Sequence, residues 1–173
     1  MFHPTGTGKS CIAWKVVEAH PQTTFFWLVA GAQRLALRQA ELTRYNGGTL
    51  PGNVRFCDCE KLAAATPEQW VRLGEQKPGC IVLDCYHELS AVCWAQSVQK
   101  LLRMCPQAKV LGLGVPNGAP VCAAAQELFA DCIVSHMTVA EAMAAGTMPV
   151  PSAYAALLLS LIHISEPTRP EPI

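Results

Sequence analysis

The stretch that decides the fold is His3–Ser10, which reads HPTGTGKS near the start of the 173-residue chain. Its glycines allow a turn in which backbone N–H groups close around phosphate oxygens, and Lys9 adds a positive charge. The hydroxyl of Ser10 can hold a magnesium ion, and the start of the following helix adds a partial positive charge. The predicted phosphate-binding residues are Thr5, Gly6, Thr7, Gly8, Lys9 and Ser10.

Two features of this loop depart from the usual pattern. The strict pattern has glycine where this chain has His3, and a buried strand normally precedes the loop, whereas only Met1 and Phe2 precede it here. We therefore expect a domain whose first strand is largely missing, with Met1 an internal methionine taken as the start. The alternative for His3–Ser10 is a glycine-rich turn that begins a helix and binds no ligand.

Strands and helices alternate along the rest of the chain. Apolar runs predict strands at 24–30, 54–57, 80–84, 110–113 and 132–135. Helical periodicity and capping patterns predict helices at 9–20, 33–45, 66–75, 91–104, 119–129 and 138–145. The first helix should bury an apolar face made of Ile12, Ala13, Val16 and Val17, and the four tryptophans should lie in the core. This alternation predicts an α/β fold with a mostly parallel sheet covered on both faces.

An acidic residue at the end of a buried strand is the second part that a phosphate loop needs, because it holds magnesium opposite the serine hydroxyl. Asp84 ends the apolar run Cys80–Asp84 and fits this role. The alternative is an aspartate that only caps a helix. The predicted magnesium ligands are therefore Ser10 and Asp84.

These residues resemble the motifs of a known family. His3–Ser10 resembles motif I of superfamily 2 DNA helicases, the DEAD/DEAH-box and type III restriction subunit group, and Asp84–His87 (DCYH) resembles their motif II. Phe26–Gln39 resembles motif Ia, Lys109–Leu113 resembles the strand before motif III, and Phe129–Tyr154 resembles the segment that closes the first motor domain. The resemblance implies a three-layer RecA-like P-loop NTPase domain, the N-terminal ATP-binding domain of such a helicase, present as a fragment.

The resemblance also implies roles for single residues. The loop would bind ATP with Mg²⁺, and His87 would couple motif II to motif III, although a histidine that merely begins a helix is an equal alternative. The positions that correspond to the family's contacts with nucleic acid, for which the resemblance implies DNA, are Gln33, Arg34 and Gln39. A second RecA-like domain, absent from this chain, would supply an arginine finger.

Three positions differ from the family pattern. The catalytic glutamate of motif II is replaced by Cys85, and a thiol is a weak proton acceptor. The hydroxyls of motif III are replaced by Gly114–Pro116, and a threonine after the third strand is replaced by Asp58. Together these changes predict a copy that keeps its fold and loses its turnover, unless compensating changes lie elsewhere.

Composition excludes other classes of protein. The chain is 51% hydrophobic and 15% charged, and 13 Lys and Arg residues balance 13 Asp and Glu residues, which excludes collagen, low-complexity disorder and a polycation. The longest apolar run, Ala153–Ile164, is shorter than the roughly 18 residues of a membrane span, so we expect none. Nine cysteines within mostly apolar runs, without a signal-like segment, predict reduced thiols and a cytoplasmic location.

The C-terminal segment resembles a sequence that does not belong to the natural protein. Leu159–Arg169 reads LSLIHISEPTR and resembles the in-frame translation of a transposon-end adapter used in DNA sequencing libraries. We therefore expect residues 1–158 to form the helicase-like domain and residues 159–173 to be a non-native tail. A genuine polar extension is the alternative.

The sequence thus predicts the ATP-binding motor domain of a superfamily 2 DNA helicase, which couples ATP hydrolysis to translocation on nucleic acid in the intact protein and is impaired here by Cys85. A catalytically dead nucleotide-binding interaction module is the second reading. A small-molecule P-loop kinase is a third, but it would need an acceptor site and a basic lid, and neither is visible in the sequence.

Overall fold

The core of the fold is a parallel sheet of four strands, seen in a computed structural model that describes residues 1–115, 127–129 and 132–148. The strands are β1 (Phe25–Val29), β2 (Val54–Asp58), β3 (Cys80–Asp84) and β4 (Lys109–Leu113). They lie in the order β2-β1-β3-β4, and every neighbouring pair is parallel. The predicted α/β class and parallel sheet are therefore confirmed.

Strand β1 lies in the middle of the sheet and is buried on both faces. Its five residues are all buried, as the continuous apolar run predicts. Because successive side chains of a strand point to opposite faces, Phe26 and Leu28 pack into one core cluster, whereas Phe25, Trp27 and Val29 pack into another. The sheet therefore has two apolar faces, and helices cover both.

Helices α1 (Lys9–Ala19) and α2 (Ala32–Tyr45) cover the face that contains Trp27. Helix α1 buries Ala13, Trp14 and Val17 in this cluster. The predicted apolar face was wrong for Ile12 and Val16, which are 42% and 37% exposed. The buried face of α1 instead contains Trp14 beside Ala13 and Val17.

Three helical segments cover the opposite face: α3 (Cys59–Ala63), α4 (Pro67–Glu75) and a longer helix. The longer helix consists of α5 (Ala91–Cys93), a π-helical segment (Trp94–Val98) and α6 (Gln99–Met104). The capping box predicted for α4 is present. All four tryptophans are buried, which confirms the prediction that they belong to the core.

Met1 and Phe2 lie beside the end of β4 and lead into the loop. The N–H of Gly114 donates to the carbonyl of Met1 (2.9 Å), and the N–H of His3 donates to the carbonyl of Gly114 (3.2 Å). Phe2 forms parallel bridges with both Gly114 and His136. The loop therefore starts at the same edge of the sheet at which the parallel strands end.

The strand predicted at 132–135 is wrong. This segment has only the isolated bridge between Phe2 and His136, and Val134 is 83% exposed. A strand needs a paired neighbour along its length, and here only Phe2 is available among the described residues. Helix α7 (Val139–Ala144) follows, with the predicted capping box between Thr138 and Glu141.

Several predictions lie outside the described residues. They are most of the helix at 119–129, Pro116, the segment from 149 to 158 and the suspected tail at 159–173. Within the described ranges, no helix has the length and apolar character that crossing a bilayer would require.

Candidate phosphate-binding site

The loop between Phe2 and α1 depends on two glycines. Gly6 and Gly8 have φ values of +85° and +81°, in the left-handed region that side chains with a Cβ rarely adopt. No neighbouring atom lies within 4 Å of a Cβ added to either residue, so backbone conformation, and not lack of space, requires glycine there. These two turns bring the loop directly onto the N-terminus of α1.

Lys9 is the first residue of α1, and its side chain folds back under the loop. Its Nζ donates to the carbonyl oxygens of His3 and Pro4, both at 2.8 Å. Burial lowers the pKa of Lys9, while Cys85 and Asp84 raise it in part. An ammonium group has three N–H donors, so one remains for a ligand after these two bonds are made.

The N-terminus of α1 carries unused donors. Gly8 occupies the N-cap position without a side-chain cap, and the first turn contains no acidic residue. The first N–H groups of a helix have no partner within the helix, and they carry the positive end of its dipole. This end of α1 therefore favours an anion over a cation.

A cleft of about 450 Å³ connects the loop with the ends of the sheet. Its lining combines the loop and α1 with the end of β3 and with α2: Thr5, Gly6, Gly8, Lys9, Ser10, Cys11, Arg38, Glu41, Leu42, Arg44, Tyr45, Asp84 and Cys85. Ligand pockets commonly occupy about 300–1,000 Å³, and in open parallel sheets they lie at the carboxyl ends of the strands. Both the size and the position of this cleft suit a small ligand.

The predicted site residues are only partly brought together. Five of the six loop residues, with Asp84 and Cys85, line the cleft. Among the described residues that the sequence singles out, the exceptions are Thr7, His87, Gln33, Arg34 and Gln39, although Arg34 lines a smaller adjoining cavity with Arg38. The hydroxyl of Thr7 instead donates to the carbonyl of Pro4 (2.8 Å) and stabilises the loop.

Asp84 lies at the end of β3 and is almost fully buried. Its Oδ2 accepts a hydrogen bond from Trp27 Nε1 (3.0 Å) and lies 2.6 Å from Nε of Arg38, in an ion pair. Arg38 belongs to α2 and also pairs with the exposed Glu41. The charge of the buried carboxylate is therefore balanced by the guanidinium of Arg38, a residue of the helix α2.

This arrangement bears on the predicted magnesium site. Ser10 and Asp84 line one cleft, as the prediction requires. However, Oδ2 of Asp84 accepts from Trp27 Nε1 and is ion-paired with Arg38 Nε, and Mg²⁺ demands close oxygen ligands in octahedral geometry. No group of three or more His, Cys, Asp and Glu side chains suited to a metal occurs in the described ranges. The Arg38 cation already balances the Asp84 carboxylate, and its charge disfavours a second, inner-sphere cation there.

No protein-family model matches this chain, and no curated protein matches its sequence. What the chain does is therefore inferred from the chemistry of the cleft.

Cys85 follows Asp84 and lines the cleft in an unusual backbone conformation. Its φ of +52° lies in the left-handed region, which is rare for a residue other than glycine, asparagine or aspartate. Burial raises the pKa of the Cys85 thiol, and the neighbouring Asp84 raises it further. At neutral pH the side chain is therefore a neutral thiol and is unsuited to accept a proton from water.

His87 lies in the 3-10 turn Tyr86–Glu88 that follows Cys85, and it is half-buried. Burial lowers its pKa, followed by the charges of Lys9 and Arg34, whereas Asp84 raises it. The charged residues of the site therefore act on the pKa of His87. The hydroxyl groups expected in motif III are absent at the described Gly114 and Val115.

Two residues of the site could not be identified from the sequence. Trp27 looks like an ordinary core residue of β1, and Arg38 looks like a solvated residue of α2. The role of Trp27 becomes visible only in the structure. In the sheet Leu28 lies opposite Leu83, so Trp27 lies diagonally from Asp84 and its side chain can reach the carboxylate. Asp58, in contrast, has a local role, because its side chain accepts from the N–H of Glu60 (2.9 Å) and caps α3.

We expect the folded chain to lose stability as the pH falls below about 6.5, the ordinary pKa of histidine. His3 is buried, its Nε2 lies 2.7 Å from Ser135 Oγ, and its pKa is lowered by burial and then by Lys9. The unfolded chain therefore binds a proton that the folded chain does not, so the free energy of unfolding decreases as acid is added, down to the folded-state pKa.

Urea unfolding measured across this pH range tests the expectation. His3→Gln should make the free energy of unfolding less dependent on pH than in the parent chain. His20→Gln, at the exposed end of α1, controls for the removal of one histidine. An unchanged pH dependence in His3→Gln would contradict the role of His3.

Proposed function

We propose that this chain is a nucleotide-binding domain that holds the phosphate groups of ATP between the His3–Ser10 loop and the end of β3. The observation that carries the proposal is the convergence of three features on one cleft. Gly6 and Gly8 provide the left-handed turns, Lys9 provides a buried cation, and the uncapped N-terminus of α1 provides free N–H donors.

The layout of the elements supports the RecA-like assignment. The sheet is wholly parallel in the part described, and its order β2-β1-β3-β4 is compatible with such a domain. The loop and Asp84 lie at one edge of the sheet, where parallel strands end and where ligands of open α/β sheets bind. Helix α2, which contains Gln33, Arg34 and Gln39, begins at the same edge, directly after β1.

The superfamily 2 helicase resemblance completes the proposal for the intact protein. The domain would work with a second RecA-like domain and with nucleic acid, for which DNA is the family expectation. Arg34 is exposed near the start of α2 and could reach such a strand, as could Gln33. In the intact protein, that second domain would supply the other wall of a composite site and an arginine finger.

Turnover by this chain should be negligible. Attack of water on the terminal phosphate needs a residue that orients the water, and Cys85 stands at that position as a neutral thiol. Arg38 also holds the adjacent Asp84 carboxylate in an ion pair. These two observations favour a domain that binds nucleotide without hydrolysing it.

Binding and hydrolysis can be measured separately. We expect saturable ATP binding by the full chain, with phosphate release no faster than in the protein-free control. Cys85→Ser should behave like the parent chain, whereas Cys85→Glu, which restores a proton acceptor, should release phosphate faster than Cys85→Ser. Rapid turnover by the parent chain would contradict the loss of hydrolysis, and absence of binding would contradict the phosphate site.

A further inference from the structure

We infer that Arg38 takes the place of the magnesium ion in this cleft, so that the site binds linear polyphosphates, including the triphosphate of ATP, without a divalent cation. The inference rests on the proposed function, because it concerns the same cleft. It concerns a different property, however, namely which positive charge balances Asp84 and the ligand.

The contact with Asp84 is the first observation. Asp84 is 2% exposed, and a buried carboxylate needs a compensating charge. Nε of Arg38 supplies that charge at 2.6 Å, while Trp27 Nε1 donates to the same oxygen. An inner-sphere magnesium ion on this carboxylate would lie beside the Arg38 cation and be repelled by it, whereas a polyphosphate anion can enter with both contacts in place.

The position of Arg38 in the cleft is the second observation. Arg38, Lys9 and the first residues of α1 line the same cleft, so three sources of positive charge border one space. A guanidinium has five N–H donors in a planar fork that matches phosphate oxygens. The Nε contact with Asp84 and the Nη1 contact with Glu41 leave further donors of Arg38 for a ligand.

The balance of charge is the third observation. Arg44 also lines the cleft. The acidic residues that line the cleft are Asp84 and Glu41. The arginine fork pairs with both of these carboxylates. Lys9 and the N-terminus of α1 are thus left to meet the negative charge of the phosphates without an added metal ion.

The test is equilibrium binding of ATP and of inorganic tripolyphosphate to the full chain, with excess magnesium or with EDTA. The parent chain should bind both ligands with affinities that differ by less than about threefold between the two conditions. Arg38→Gln should lose about tenfold or more in EDTA, the effect of removing charge-assisted hydrogen bonds. Magnesium should restore part of this loss, because Asp84 is then free to bind the metal.

Two further variants make the comparison specific. Arg72→Gln removes an equivalent charge from the exposed surface of α4, on the opposite face of the sheet, and should bind like the parent chain. Arg38→Lys keeps a cation beside Asp84 and should lose less affinity in EDTA than Arg38→Gln. If Arg38→Gln fails to fold, the effect of EDTA on the parent chain still decides the question.

The outcomes are distinguishable. Affinity of the parent chain that falls about tenfold or more in EDTA, or an Arg38→Gln variant that binds normally in EDTA, overturns the role of Arg38 and leaves the phosphate site intact. Absence of binding in both conditions overturns the inference together with the proposed function. Metal-independent binding that depends on Arg38 supports both.

Discussion

Lys9→Met is expected to weaken ATP binding by about a hundredfold, equivalent to roughly 3 kcal/mol. Lys9 is the buried cation of the loop, and two carbonyl oxygens, of His3 and Pro4, hold its ammonium group in place. Its remaining N–H can donate to a phosphate oxygen, and a charge-assisted bond of this kind is stronger than a neutral one. Methionine preserves much of the side-chain length and removes both the charge and the donors.

The same substitution should lower stability. The carbonyl of His3 loses its side-chain donor, whereas that of Pro4 keeps the Thr7 hydroxyl (2.8 Å), and an unsatisfied buried acceptor costs about 1–3 kcal/mol. Binding should therefore be compared at a temperature where unfolding curves show that the variant is folded. The effect on affinity is then separate from the effect on stability.

Lys15→Met is the matched control. Lys15 lies on the same helix, α1, but its side chain is exposed and pairs with Glu18 on the outer surface. Exposed pairs of this type contribute at most about 1 kcal/mol, so its removal should leave ATP affinity unchanged. If Lys9→Met bound ATP as tightly as Lys15→Met, the loop would not be the phosphate site.

The sequence predicts most of this architecture because the relevant signals are local. Each of these signals acts within a few residues, and each appears in the structure: the apolar run Phe25–Val29, the capping boxes at Thr66 and Thr138, and the turns at Gly6 and Gly8. The position of Asp84 at a strand end is local as well, because the end of an apolar run sets it.

Other features depend on contacts between distant segments, which a single sequence does not reveal. The π-helical segment Trp94–Val98 is one example. Within it, the hydroxyl of Ser97 donates to the carbonyl of Cys59 (2.6 Å), and the helical periodicity of the sequence does not predict this bond. The Arg38–Asp84 ion pair is another example, because the two residues are far apart in the sequence and meet only in the folded chain, where β1 pairs with β3. The predicted strand at 132–135 failed for the same reason, because its partner is a property of the fold.

Trp27 belongs to the core and also contacts a residue of the cleft. Its indole packs in the cluster with Trp14 and Phe56, with ring centroids 6.4 and 5.8 Å away, and its Nε1 donates to Asp84. The side chain that supports the α1 and α2 face of the sheet therefore also orients the carboxylate of the cleft. Loss of this one residue should affect both properties.

Trp27→Ala should be among the most destabilising substitutions in the chain, at about 3–5 kcal/mol. The ring is fully buried in the central strand, so its removal leaves a cavity, and Asp84 loses one of its donors. Because the total stability of a domain is about 5–15 kcal/mol, this variant should be partly unfolded in mild urea. The measurement is the urea midpoint and slope relative to the parent chain.

Trp27→Phe and Trp14→Phe separate the hydrogen bond from the packing. Both tryptophans are fully buried on the same face of the sheet, but Trp14 Nε1 has no hydrogen-bond partner among the described residues, whereas Trp27 Nε1 donates to a carboxylate. Trp27→Phe should therefore cost about 1.5–3 kcal/mol more than Trp14→Phe, the range for a hydrogen bond to a charged group. Equal losses would mean that Trp27 contributes only its ring, and that the Arg38 ion pair alone stabilises the buried charge of Asp84.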